Sequence, residues 1–274
     1  MTAARQQRRF ASRRGALRAV LAAAVLGQRA AAAPALPASP PGAMPPLIAK
    51  PLKVVIFALV PYGMPDAAGQ PSGVLVELQK QLAQESGLPM EMQLVPYPRA
   101  MAMVAAGDAD LVFSFPNQQL QQHARALGAI ASGDVVVIGR AGSRYATAAD
   151  LRGKKLAHIR GALYDAQLQS DPGIGRYEAI SYEQMVKMLL EGRFDAVLGA
   201  RLSILHTLRL LGVPREKLGP ELAVGKRDIL VHYADQRYDP QVAARLERAL
   251  AAMRARGAAA ALLKPYGDGR LPPP

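Results

Sequence analysis

The chain predicts an α/β fold made of two similar units, and three observations point there. One phrase occurs twice, as M-V-A-A-G-D-A-D-L-V-F at 103–113 and as M-L-L-E-G-R-F-D-A-V-L at 188–198. In each copy an apolar run at helical spacing stops at a glycine, Gly107 or Gly192, and an aspartate three residues on, Asp110 or Asp195, opens a short β-type run. Around these copies β-rich runs alternate with helical patterns, the order that yields largely parallel sheets. The copies stand 85 residues apart, too far for a solenoid repeat and suited to one α/β unit in each of two lobes. A cleft between two such lobes is a natural binding place.

The elements follow in order. Lys53–Leu59 is a β-branched run ending at Pro61-Tyr62-Gly63, a buried strand feeding a loop. Ser72 is placed to cap a helix whose Val74, Leu75, Leu78 and Leu82 share a face until Gly87 stops it. Met90, Met92 and Leu94 alternate as a strand, Pro98 opens a helix running to Gly107, and Asp110–Phe115 forms the next strand. A helix over Gln118–Ala126 and a buried strand at Val135–Ile138 complete the first pass. The second begins at Thr147 with a short helix ending near Gly153, a strand over Lys155–Ile159 and a helix after Arg160-Gly161. Ser181 and Gln184 read as a capping box for the helix that ends at Gly192, before a strand at Phe194–Leu198 and a helix at Arg201–Leu211. Ile229–Tyr233 is a late strand, and Asp239-Pro240 opens a long amphipathic helix to Arg256. In such sheets ligands gather beyond the carboxyl ends of the strands, here the loops after Leu59, Phe115, Ile159 and Leu198.

Charge narrows the class. The net charge of +13 raises the question of nucleic acid, but seven of the 34 basic residues and no acid lie in residues 1–32. The remainder carries 27 basic against 21 acidic residues, a mild +6 that argues against a polyanion partner. Residues 1–32 read as an export signal: a basic start, an apolar stretch from Ala19 to Leu26 too short to span a bilayer, and an A-x-A site within Ala30–Ala32. Ser12-Arg13-Arg14-Gly15-Ala16-Leu17-Arg18 resembles the twin-arginine motif, and an ordinary secretory signal fits the same residues; either route leads to the periplasm. The chain holds no cysteine, hence no disulfide, thiolate nucleophile or lipid attachment point. Residues 33–50, with six prolines between Pro34 and Pro46, read as a linker.

At this point the arrangement resembles the extracellular solute-binding proteins of family 3, the polar amino-acid type receptors of bacterial ABC importers. The matching phrases are the strand at 53–59 with Tyr62, Gly73 opening a helix, Gly107-Asp108-Ala109-Asp110-Leu111, and Asp150-Leu151-Arg152-Gly153-Lys154-Lys155-Leu156. Arg160-Gly161-Ala162, Gly192–Val197, and the helix Ala243–Arg256 before Gly257 continue the series over about 51–267. The resemblance implies a type II periplasmic-binding-protein-like fold with two discontinuous lobes. Lobe 1 would take 51–136 and 229–267 and lobe 2 would take 137–228, with hinge crossovers near 137–140 and 224–228. It implies a monomer that closes on a small molecule and passes it, in a transient contact, to the membrane permease subunits of an importer.

The family's usual arginine for a ligand carboxylate is missing from Phe115-Pro116-Asn117-Gln118-Gln119-Leu120-Gln121-Gln122-His123, and its usual acid is missing from Gly199-Ala200-Arg201. A standard zwitterionic amino acid is therefore not the expected ligand. Arg99, Arg160 with Gly161, and Arg201 stand at predicted loops and suit an anionic or carboxylate-bearing solute, although surface arginine is the plainer reading of any one of them. Tyr62, Phe115 and Tyr164 are aromatics on the same side, able to clamp a ligand body or simply to pack, and Ser114 and Asn117 offer hydrogen bonds. Asp110 and Asp195 read as structural, since an aspartate in a helix-to-strand turn bonds nearby backbone. No catalytic residue, metal site or cofactor is expected: His123, His158, His206 and His232 lack metal-ligand spacing, and Gly173-Ile174-Gly175 lacks a phosphate-loop context. A dehydratase-like enzyme on the same fold and a periplasmic sensing module are the alternatives.

Overall fold

The computed structural model describes residues 50–267; the expected export signal at 1–32 and nearly all of the expected linker at 33–50 lie outside the described residues. The first pass of the chain runs β1 (Leu52–Phe57), β2 (Met64–Pro65), β3 (Pro71–Ser72), α1 (Val74–Ser86), β4 (Met90–Val95), α2 (Tyr97–Ala106), β5 (Leu111–Ser114) and α3 (Gln118–His123). A long strand β6 (Ala124–Arg140) leads to a second pass: β7 (Lys155–Ile159), α4 (Ala166–Ser170), β8 (Gly175–Ala179), α5 (Tyr182–Leu190), β9 (Ala196–Ala200) and α6 (Arg201–Leu210). A second long strand β10 (Leu218–Ala234) returns to the first half, and α7 (Pro240–Ala255) and α8 (Ala258–Gly267) close the described chain. No helix among the described residues is long and apolar enough to cross a membrane.

Eight strands form one sheet in the order β4-β1-β5-β10-β6-β9-β7-β8. Within each half the pairing is parallel, β4-β1-β5 on one side and β9-β7-β8 on the other. The halves are joined by β6 and β10, which pair antiparallel with each other along nearly their whole length. The lower numbers of β9 meet the far end of β6, with Val135 opposite Ala200 and Gly139 opposite Ala196. The late part of β10 meets β5, with Leu230 opposite Ser114 and Tyr233 opposite Leu111. The mixed sheet thus differs from the largely parallel one expected, because two strands must carry the chain between the halves.

The repeated phrase does the same work in both halves. Gly107 and Gly192 take left-handed conformations, with φ of 73° and 76°, after α2 and α5. Asp110 then accepts the Lys53 N–H through Oδ2 at 2.6 Å while its own N–H donates to the Lys53 carbonyl at 2.8 Å. Asp195 repeats this with Lys155, accepting its N–H at 2.8 Å and donating to its carbonyl at 2.9 Å. Each aspartate therefore ties the turn to the first rung of the neighbouring parallel strand. Arg237 lies 3.5 Å from Asp110 and adds a partner in the first half.

Several boundaries depart from the sequence reading. Ser72 does not cap α1; it pairs in β3, and the N–H groups of Val74 and Leu75 instead donate to the carbonyls of Pro61 and Tyr62. Gly73 makes that approach possible, since a Cβ there would stand 2.7 Å from both carbonyl oxygens. The helix after Asn117 ends at His123 rather than Ala126, because Ala124 already pairs with Ala234 in the long ladder. The short strands expected at 135–138 and 229–233 lie toward the far ends of the long β6 and β10. Ser181 accepts the Gln184 N–H as expected of a cap, but the Gln184 side chain returns to the N–H of Ile180. β8 has no counterpart in the sequence reading, and its mostly exposed Gly-Arg-Tyr-Glu run explains why.

Three histidines, His158, His206 and His232, are buried in this framework. Burial pushes the His232 imidazole down to about 4 against a raising contact from its Nε2 to the Ser114 carbonyl at 3.3 Å. Burial, aided by the charge of Arg209, likewise brings His206 down to about 4. In the unfolded chain each titrates near pH 6.5, so unfolding takes up protons between pH 6.5 and 4 and stability falls as pH drops through that window. Scanning calorimetry from pH 7 to 4 is expected to show this loss, on the order of 2–3 kcal/mol per histidine, and His232→Gln is expected to reduce it by about half. Asp195→Ala leaves the Lys155 N–H without its carboxylate acceptor and is expected to cost about 1–3 kcal/mol in urea unfolding.

Candidate functional site

Both halves of the sheet supply rings to one small cavity. Phe57, Leu59, Tyr62, Tyr97, Ser114 and Phe115 line it from the first half; Tyr164, Tyr182, Ala200 and Ser203 line it from the second. Its volume is about 20 Å³, room for about one water. Phe115 meets Tyr164 edge to face at 6.1 Å between ring centroids, and Phe57 meets Tyr97 at 5.3 Å. The lining contains no Asp, Glu, Lys, Arg or His.

The tyrosine hydroxyls are placed by their neighbours. The Asn117 side chain caps α3 by accepting the Leu120 N–H and donates its Nδ2 to the Tyr97 hydroxyl at 3.0 Å, which also lies 3.3 Å from Ser114 Oγ. Tyr164 and Tyr182 share a hydroxyl pair at 2.7 Å, and the Ala200 N–H donates to the Tyr182 hydroxyl at 2.9 Å. Burial pushes the Tyr182 hydroxyl up to about 12 and raises those of Tyr62, Tyr97 and Tyr164, so all four stay neutral at physiological pH. Tyr62 is held from below by α1, whose first N–H groups bond the Pro61 and Tyr62 carbonyls. Its buried hydroxyl reaches Gly133, where a Cβ would stand 2.9 Å away, and finds no hydrogen-bond partner among the described residues.

A wider chamber of about 510 Å³ adjoins the ring cavity through Ala162 and Leu163. Polar side chains stand around it, with Asn117, Gln118 and Gln119 on one side and His158, Gln169, Arg176 and Glu178 on the other, beside Gly161. Gln169 organises the second wall: its Oε1 accepts the N–H groups of Tyr164 and Asp165, its Nε2 donates to the Ala162 carbonyl, and its backbone carbonyl accepts from Arg176. Among the described residues no group of three or more His, Asp or Glu side chains is placed to hold a metal ion.

The structure therefore brings together Tyr62, Ser114, Phe115 and Tyr164 in the ring cavity, with Asn117 and Gly161 in the adjoining chamber. It does not bring the three expected arginines together. Arg99 stands over β1 and β4 with Lys53, Glu91 and Asp108. Arg160 pairs with Glu178 at 3.7 Å beside the chamber, and Arg201 pairs with Glu221 at 2.6 Å. Arg201 lies in a separate cavity on the far side of Tyr62, with Asp134 and Lys226. Sequence reasoning passed over Tyr97, Tyr182, Arg176 and Arg227. Tyr97 and Tyr182 open helices, where a lone aromatic reads as core, and only tertiary packing brings them to the cavity. Arg227 reaches from β10 to the Tyr164 carbonyl at 3.3 Å and Asp165 at 3.2 Å, contacts no local pattern announces.

The fold and the two-sided cleft define a two-lobed α/β binding protein. The chain matches the model of the bacterial extracellular solute-binding proteins, family 3, over residues 52–269, and it belongs to that family. Among solved structures, a histidine kinase sensor domain with similarity to periplasmic binding proteins aligns at a TM-score of 0.71 and 20% identity, covering 82% of this chain and 98% of that one. A mutant of ArgBP from T. maritima aligns at 0.67 and 17% identity over 79% and 95% of the two chains. The arginine-, lysine-, histidine-binding protein ArtJ from Geobacillus stearothermophilus aligns at 0.67 and 17% over 81% and 97%. At such identities the likeness is one of fold. No curated protein matches the chain in sequence.

Tyr182→Phe removes the acceptor of the buried Ala200 N–H, whereas Tyr164→Phe leaves that bond in place. The first substitution is expected to cost about 1–3 kcal/mol and the second about 1 kcal/mol, an order that urea midpoints check.

Proposed function

We propose that this chain is an exported, periplasmic receptor that closes its two lobes on a small polar, carboxylate-bearing solute and delivers it to an ABC importer. One observation carries the reading: the cavity is walled by rings from both halves of the sheet, with Phe115 of one against Tyr164 of the other. A ligand held there touches both lobes and so favours the closed form over the open one, which is the condition for a ligand to drive closure. The family supports the receptor role, and the basic start with its A-x-A site supports export.

The lobes in this proposal comprise 51–131 with 229–267, and 135–225, since Val135 and Val136 pair with β9 of the second half. Segments 132–134 and 226–228 are the hinge, since they pair with each other while β5 bonds β10 after them and β9 bonds β6 beyond them. This moves the first crossover back from 137–140, because Val137, Ile138 and Gly139 are already engaged by β9. Arg227 in the second hinge segment holds the Tyr164-Asp165 loop, which couples the hinge to the rings. For the carboxylate, the support is Arg176 in the chamber wall and Arg160 beside it. Arg99, which faces strands β1 and β4, has no part in the proposed site.

Thermal melting against panels of carboxylates, amino acids, amines and phosphates tests the reading. A true ligand at a hundred times its Kd stabilises the fold by about 2.7 kcal/mol, a rise of roughly 5–10 °C for a chain of this size. Small-angle scattering is expected to show a smaller radius of gyration with that ligand. Tyr164→Ala is expected to remove both effects, and Arg99→Ala neither. Turnover of the ligand would instead favour an enzyme.

A further inference from the structure

The cleft segregates charge in a way that selects a class of solute. This inference rests on the cleft being the solute site. Inside, the walls are rings and small side chains, with hydroxyls already engaged in pairs except those of Tyr62 and Ser203, which have no partner among the described residues. An ammonium or carboxylate brought to that depth would leave water for neutral rings and hydroxyls, with no opposite charge to meet it. The usual deep grip on a zwitterion is thus absent from the interior itself. Outside, the adjoining chamber carries the ionic groups. There Glu178 is already offset by Arg160 at 3.7 Å, while Arg176 donates to the Gln169 carbonyl and has no carboxylate partner among the described residues.

We infer that the solute is a small aromatic monocarboxylate without an α-ammonium group, seated with its ring inward among Tyr62, Tyr97, Phe115 and Tyr164 and its carboxylate outward at Arg176. Rings of this kind accept a planar guest edge to face, the arrangement Phe115 and Tyr164 already adopt toward each other. The inner cavity of about 20 Å³ does not admit a ring as it stands, so entry requires Phe115 and Tyr164 to part and then close over the guest. The unpartnered Tyr62 hydroxyl, on the floor at Gly133 beside the tip of Phe115, gives a preference for a guest that carries a hydrogen-bonding group opposite its carboxylate. Sequence and fold thus point to benzoate-like and hydroxybenzoate-like solutes rather than to amino acids.

Titration calorimetry and thermal melting of the purified protein with benzoate, 4-hydroxybenzoate, benzamide, phenylalanine, glutamate and succinate test this. 4-Hydroxybenzoate is expected to bind at least tenfold more tightly than phenylalanine, glutamate or succinate, and more tightly than benzoate. Tyr62→Phe is expected to abolish the preference for 4-hydroxybenzoate over benzoate while leaving benzoate binding in place. Arg176→Gln, an exposed substitution that leaves the ring cavity untouched, is expected to weaken benzoate about tenfold and leave benzamide unchanged. Tighter binding of an amino acid or of succinate would overturn the inference and leave the receptor reading standing. Absence of binding by every compound here and in the wider panels would overturn both. Equal loss of benzoate and benzamide in Arg176→Gln would overturn the outward carboxylate.

Discussion

Everything in this protein hangs on the antiparallel pair of β6 and β10. Two long strands, 124–140 and 218–234, lie side by side in mid-sheet, and each half of the molecule adds its parallel strands to a different end of that pair. Strand ladders resist shear along their length yet bend where bulges interrupt the register, and this ladder shifts register near Gly225 and again near Ile229 and Val231. One pair of strands therefore serves two α/β units. The cleft is the space between those units above the pair.

The repeated turn makes each unit rigid on its own account. Asp110 and Asp195 fasten the turn after α2 or α5 to Lys53 or Lys155 at the start of the adjoining parallel strand, with a two-way bond in each case. That fixes strand register at the entry end and leaves the exit ends free to carry loops. Tyr62, Phe115 and Tyr164 stand on such loops, where a rigid scaffold commonly carries binding residues. The neutral interior also leaves no unpaired charge buried where the rings of the two halves meet.

Local chemistry made much of this legible. Gly87, Gly107 and Gly192 mark helix ends because left-handed backbone is cheapest for glycine, and the strand Lys155–Ile159 is found where its β-type run stands. Asn117, Ser114 and the aromatic loops were readable as site candidates because sheets of this kind gather ligands at strand exits. The arginines misled, since guanidinium reads the same in a sequence whether it faces a cleft or a neighbouring acid. Arg201 and Glu221 are twenty residues apart in the chain and 2.6 Å apart in the fold.

Taken alone, the sequence determined the class of fold, the twofold repeat, the family and the structural role of the two aspartates. Each of these is written in short-range patterns: apolar spacing, glycine at turns, a carboxylate within reach of nearby backbone. Tertiary structure decided the lengths of β6 and β10, the pairing that places Val135–Gly139 with the second half, and the inward turn of Tyr97 and Tyr182. Those depend on partners far away in the chain, and a residue's own neighbours carry no record of them. The sorting of neutral rings inside and ionic groups outside belongs to that second kind, because charge in a cleft is a property of two surfaces brought together.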